Sequence, residues 1–153
     1  TLKNAIRRDG KVQSLAFPEK YSDILMEFQD INGNILKETV SSGYIPDKKT
    51  EEHKLFLATT FPGITCDPSG RGHSTHPKLS PELLHPGMGL FTLLNTAIDI
   101  FGGSVAFRTK NYFMNMKAVG KANSAKYRVK IRELPSSSPF LGNFLTIRLP
   151  IKK

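Results

Sequence analysis

The spacing of apolar and polar residues changes period along this chain, and each change marks an element. In the stretch 86–105, PGMGLFTLLNTAIDIFGGSV, the residues Leu90, Leu93, Leu94, Ala97, Ile98 and Phe101 recur at helical spacing. They predict an amphipathic helix with one apolar stripe, and Asn95 and Asp99 fall on its opposite face. Gly102 and Gly103 end it where a left-handed residue is wanted, and FGGSVAF continues as a strand. Upstream, apolar-rich runs at 24–30 and 35–46 flank Asn32-Gly33, which predicts a β-hairpin. Within KYRVKIREL the period is two: Tyr127, Val129 and Ile131 share one face, and Arg128, Lys130 and Arg132 the other. Glu51-Glu52 opens a short solvated helix before Leu55 and Phe56. Pro- and Ser-rich patches at 77–86 and 135–139 read as loops.

One stretch carries candidate chemistry. Gly87 and Gly89 leave the first amides of the predicted helix uncovered, and free amides at the positive end of a helix dipole bind anions, phosphate above all. Tight turns also use glycine for steric reasons alone, so the surrounding order of elements carries the weight. That order resembles the ATP-binding domain of the GHKL superfamily, which includes histidine kinases and gyrase. Histidine-kinase members have a phenylalanine-containing lid, a GxGL turn, a helix ending in paired glycines, a strand, and a closing GTxFxxxLP-like strand. Here FPGITCDPSGRG (61–72) stands as the lid, PGMGLF as the turn, and GNFLTIRLP (142–150) as the closing strand. The resemblance runs over roughly 24–150 with long interruptions.

The resemblance implies an α+β fold, a two-layer α/β sandwich of the GHKL type, with ATP and Mg²⁺ as cofactors. Phosphates are expected on the amides of Gly87, Met88, Gly89 and Leu90, with Arg71 and Gly72 in the lid and Arg71 supplying charge. Adenine is expected near Ser41, Gly43 and the strand carrying Thr146. The family's aspartate, which accepts from the adenine amino group, corresponds to Ser41 in Ser41-Ser42-Gly43-Tyr44-Ile45-Pro46, and one glycine of that box is missing. The alternative register, on Asp30 and Gly33, turns the box into a hairpin tip. The closing-strand threonine falls near Asn143 or Phe144, a further departure. Thr1-Leu2-Lys3-Asn4-Ala5-Ile6 reads either as the tail of the metal-binding helix, with Asn4 holding Mg²⁺, or as a terminus with a surface asparagine. None of His53, His73, His76 or His85 occupies the long dimerisation helix of an autokinase, so an ATPase or kinase role requires other segments.

Composition fits one domain spanning 1–153, read as a piece of a larger protein. No apolar run reaches the ~20 residues a membrane span needs, and no signal peptide opens the chain. The single cysteine excludes an internal disulfide and points to the cytoplasm. Cys66, His73, His76 and His85 match no familiar zinc spacing, and Cys66 lies in no hydrolase motif.

The net charge of +9 is unevenly placed: from Ser104 to Lys153 there are eleven Lys or Arg residues and one acid, Glu133. The basic run belongs to an insertion at about 111–141 relative to histidine kinases. It reads as a solvated edge strand whose lysines discourage aggregation, or as a docking surface for an acidic protein, a nucleic acid or a membrane. With no aromatic platform beside it, nucleic acid is the less favoured partner, behind a protein partner or adjoining domains. Three functions follow. They are an ATP-binding module, a degenerate scaffold of the same fold that has lost ATP, and a basic nucleic-acid-binding domain.

Overall fold

The computed structural model describes residues 13–14, 23–61, 64–65, 89–109, 111–120, 125–135 and 142–151. The elements in order are β1 (Gln13–Ser14), β2 (Asp23–Gln29), β3 (Ile35–Ser41), α1 (Glu52–Ala58), β4 (Ile64–Thr65) and α2 (Gly89–Asn95). A π-helical turn (Thr96–Ile100) extends α2, and β5 (Ser104–Arg108), β6 (Tyr112–Ala118), β7 (Tyr127–Glu133) and β8 (Phe144–Arg148) follow. The class is α+β.

The chain divides into two compact units, residues 1–21 with 42–92 and residues 22–41 with 93–153. In the first, β1 pairs antiparallel with β4. Helix α1 buries His53, Phe56, Leu57 and Ala58, and the turn after it buries Thr60 and Phe61. This is more burial than a solvated helix would show. Glu51 precedes it, with its carboxylate 3.3 Å from Lys54 Nζ and 3.7 Å from His53 Nε2.

The second unit is a six-stranded mixed sheet in the order β3-β2-β7-β6-β5-β8. Its pairs are antiparallel except β2 with β7, which run parallel with Ile24 opposite Tyr127. Strict alternation assigns the faces. Ile24 and Met26 on β2, Tyr127, Val129 and Ile131 on β7, Met114 and Met116 on β6, and Val105 on β5 are all buried and share one side. The π turn packs against β5 and β6. Leu94, Ala97 and Ile98 are buried, whereas Leu93 and Phe101 of the expected stripe are exposed. For Phe101 the cause is local: its amide donates to the Thr96 carbonyl five residues back, and the wider turn shifts its phase relative to the stripe.

Asn95 and Asp99 do not simply face water. The Tyr127 hydroxyl donates to Asp99 Oδ2 at 2.7 Å and lies 3.0 Å from Asn95 Oδ1. Lys126 Nζ completes the cluster, 2.6 Å from Asp99 Oδ2. The polar side of this helix is thus the side that ties it to β7. Burial, helped by the neighbouring Asp99 carboxylate, holds the Tyr127 phenol well above the ordinary range.

The paired glycines have two separate reasons. Gly102 has φ +65°, a left-handed conformation that L side chains rarely adopt. Gly103 donates its amide to the Ala97 carbonyl, and a Cβ there would press on the Arg148 carbonyl oxygen and lie 2.9 Å from that of Ala97. Helix end and β8 backbone meet at this residue.

Two substitutions test this packing. Gly103→Ala should destabilise the protein by roughly 1–3 kcal/mol, because the crowding atoms are backbone and cannot turn aside. Thermal denaturation checks this, and an unchanged melting temperature would refute the close approach. Tyr127→Phe should cost about 1–2 kcal/mol through the lost hydrogen bonds. Since the phenol's pKa is raised by folding, its contribution is complete below the ordinary tyrosine pKa of about 10 and is lost only as pH rises through the raised value. The stability difference between the two proteins should therefore stay constant across neutral pH.

Candidate functional site

Helix α2 begins at Gly89, inside the GMGL run. Gly89 has an ordinary φ, and no described atom lies within 4 Å of where its Cβ would be. Unlike Gly102 and Gly103, it is required neither by backbone strain nor by packing against described residues. Glycine costs up to about 1 kcal/mol relative to alanine in a helix interior, but Gly89 is the first residue of the helix, where that cost is small and the missing side chain leaves the backbone open to approach. Leu90 is the second residue of the helix and half-buried. Gly87 and Met88, Arg71 and Gly72, and Asn4 lie outside the described residues, as do Cys66, His73, His76 and His85.

The hairpin forms where the alternation predicts it, with its turn between the two runs. Gln29 pairs with Ile35, and Asp30 organises the loop between them. Asp30 Oδ1 accepts from the amides of Asn32 at 2.9 Å and Asn34 at 2.8 Å, and Oδ2 accepts from Asn34 Nδ2 at 2.7 Å. These bonds, with the Asn34 side chain first, hold the carboxyl below the usual aspartate range. Gly33 takes φ +88° within the loop. Asp30 is therefore committed to its own turn.

Ser41 is the last residue of β3, opposite Asp23, and lies exposed on the face of the sheet away from the π turn. Ser42 is buried and Gly43 half-buried in the turn that follows. Asp47 and Thr50 then close a further turn, in which the Thr50 hydroxyl lies 2.7 Å from that of Tyr44.

Thr146 is in β8, opposite Ala106 of β5. It shares the outward face with Ser41, but the two strands are opposite edges of the sheet. Five strand spacings of ~4.8 Å separate them by about 24 Å, so Ser41 and Thr146 do not frame one base. The strand beside the hairpin is β7, and it too runs into a Leu-Pro pair, Leu134-Pro135.

The basic run also takes a different place from the one expected. Strand β7 is not an edge: it pairs with β2 on one side and β6 on the other. The stretch read as an insertion supplies two inner strands, because burying Tyr127, Val129 and Ile131 requires neighbours on both sides. Its cations face outward with those of the flanking strands. Lys130 Nζ lies 3.1 Å and Lys37 Nζ 3.7 Å from the Glu27 carboxylate between them, and Lys130 above all lowers the pKa of Glu27. A shallow depression of about 460 Å³ opens here, lined by Leu25, Glu27, Lys37, Thr39, Arg128 and Lys130 among others.

Aromatic residues join these cations through strand pairing rather than sequence proximity. Phe113 stands between Arg132 and Arg108, and Phe144 stands on the far side of Arg108. The alternation of β6 and β8 carries the signal, but only the register reveals the neighbours.

Among the described residues no group of three or more His, Cys, Asp or Glu could hold a metal ion, and no helix is long and apolar enough to cross a membrane. Comparison with protein-family models, curated proteins and solved structures gives no match to this chain.

Proposed function

We propose that this chain is an ATP-binding module of the histidine kinase-like ATPase (GHKL) type, a two-layer α/β sandwich acting as an ATPase or kinase catalytic domain together with other segments. The observation that carries the reading is the contrast among three glycines. Gly102 and Gly103 are explained by conformation and crowding, while Gly89, at the start of α2, is explained by neither. The positive end of a helix suits a triphosphate, and a glycine there leaves room for the anion to reach the backbone. In this reading Gly87, Met88, Gly89 and Leu90 hold the phosphates, and Arg71 and Gly72 come from the lid. Asn4 carries Mg²⁺, which when bound neutralises phosphate charge. Ser41 and Gly43 serve the base, and Thr146, on the opposite edge of the sheet from Ser41, does not share it.

A second reading is favoured by a specific observation. Ser41 has no carboxylate, and Asp30 uses its own within the hairpin loop. With neither available to adenine, the fold could serve as a scaffold that no longer binds ATP.

Calorimetric titration with ATP and GTP, with and without Mg²⁺, separates the two. The module should bind ATP more tightly with Mg²⁺ and discriminate weakly against GTP, since the charge-assisted bond to the exocyclic amine is missing. Gly89→Val should abolish binding while the far-ultraviolet circular dichroism stays unchanged. Absence of ATP binding in the folded wild-type chain would instead support the scaffold. Ser41→Asp should raise the preference for ATP over GTP by roughly tenfold, the equivalent of one such bond. If that variant leaves the preference unmoved, Ser41 does not face the base.

A further inference from the structure

We propose that the outward face of strands β5 to β8 binds single-stranded nucleic acid, a function beyond nucleotide binding at α2. The face is read directly from register. Alternation turns Val105, Met114, Met116, Tyr127, Val129 and Ile131 inward, and the residues between them outward. On these four strands the outward positions hold Arg108, Lys117, Arg128, Lys130, Arg132 and Arg148, and no carboxylate. The single acid of this region, Glu133, has the opposite parity and accepts from the Ile31 amide at 3.2 Å. Such a surface is complementary to a polyanion.

The arrangement within the face selects the kind of polyanion. At one end of the sheet, Arg132, Phe113, Arg108 and Phe144 are successive cross-strand neighbours, so cations and rings alternate at ~4.8 Å intervals. Phe113 is 37 % and Phe144 57 % exposed, although both are large apolar side chains. Two rows further along, Arg128, Lys117 and Arg148 lie on β7, β6 and β8, roughly 13 Å from the ring row at ~3.3 Å per residue. Among the described residues none of these three cations has an ion-pair partner.

Exposed rings on an open sheet offer stacking faces to unpaired bases, and flanking arginines and lysines meet the phosphates. A duplex keeps its bases stacked internally and would use the cations alone. An acidic protein would meet the cations but offers no regular series of flat faces to stack on rings set between guanidinium groups. The combination therefore points to a single strand, held by stacking at one end of the face and by cation–phosphate pairing at the other.

The test is fluorescence anisotropy with a short labelled single strand of mixed sequence, as DNA and as RNA, and with the corresponding duplex, using the full chain. We expect saturable binding of the single strand, with the duplex at least tenfold weaker. Phe113→Ala and Phe144→Ala should each reduce affinity by roughly tenfold or more with little change in salt dependence, and Phe144→Tyr should retain binding because it keeps a ring. Replacing Arg128, Lys117 and Arg148 with Ser should flatten the salt dependence by about 0.7 in log–log slope for each phosphate no longer neutralised. Circular dichroism of each variant confirms that the sheet persists. Gly89→Val should leave this binding intact, so failure of the ATP reading would not be mistaken for failure of this one. Equal affinity for duplex and single strand, or ring variants that bind as well as wild type, would overturn the proposal and leave a generic basic surface. No saturable binding at low salt would overturn it outright.

Discussion

The two-residue period of β7 is the constraint on which the sheet depends. Tyr127, Val129 and Ile131 are almost fully buried, and they can be so only if the strand has partners on both edges and a covered face. Their burial fixes the register with β2 and β6, since a one-residue slip would drive Arg128, Lys130 and Arg132 into the core. The same period then presents those cations to solvent. Tyr127 adds a polar tie, because its hydroxyl reaches Asp99 and Asn95 and so sets where the helix end lies over the sheet. Packing on one face and charge on the other are one decision of the sequence.

Local signals of this kind are legible in the amino-acid order alone. The hairpin around Asn32-Gly33, the helix ended by Gly102-Gly103 and the strand after it all follow from alternation, turn chemistry and glycine placement. Each is decided by residues within about one element of each other, where such reasoning is strong. The π turn is not visible there, because nothing in TAIDI distinguishes an i+5 bond from an i+4 bond until the tertiary partner Tyr127 is known.

Lateral order is what the sequence conceals. Strand alternation says which residues share a face but not which strand lies beside which, and the expected base pocket fails on that point. Ser41 and Thr146 suggest parts of one pocket and prove to be on opposite edges. The run at 127–133 reads as an edge and proves to be inner. Phe113 and Phe144 look unrelated to the basic stretch, yet pairing through β5 brings both beside Arg108. A surface assembled from several strands has no contiguous signature, so charge counting finds its cations and misses its rings.

The parallel pairing of β2 with β7 has a consequence for how the molecule comes to exist. Ile24 meets Tyr127 only after the whole intervening chain has been made, whereas β2 and β3 can meet at once across their own loop. A lone two-stranded hairpin is marginal in water, so during synthesis Ile24 and Met26 remain without their cover. The cost of closing so long a loop rises only slowly with its length, but it must be met before the buried neighbours reward it. The sheet therefore nucleates most readily from its later half, where β5, β6 and β7 follow one another by short connections, and the β2–β3 hairpin joins an edge that is already formed.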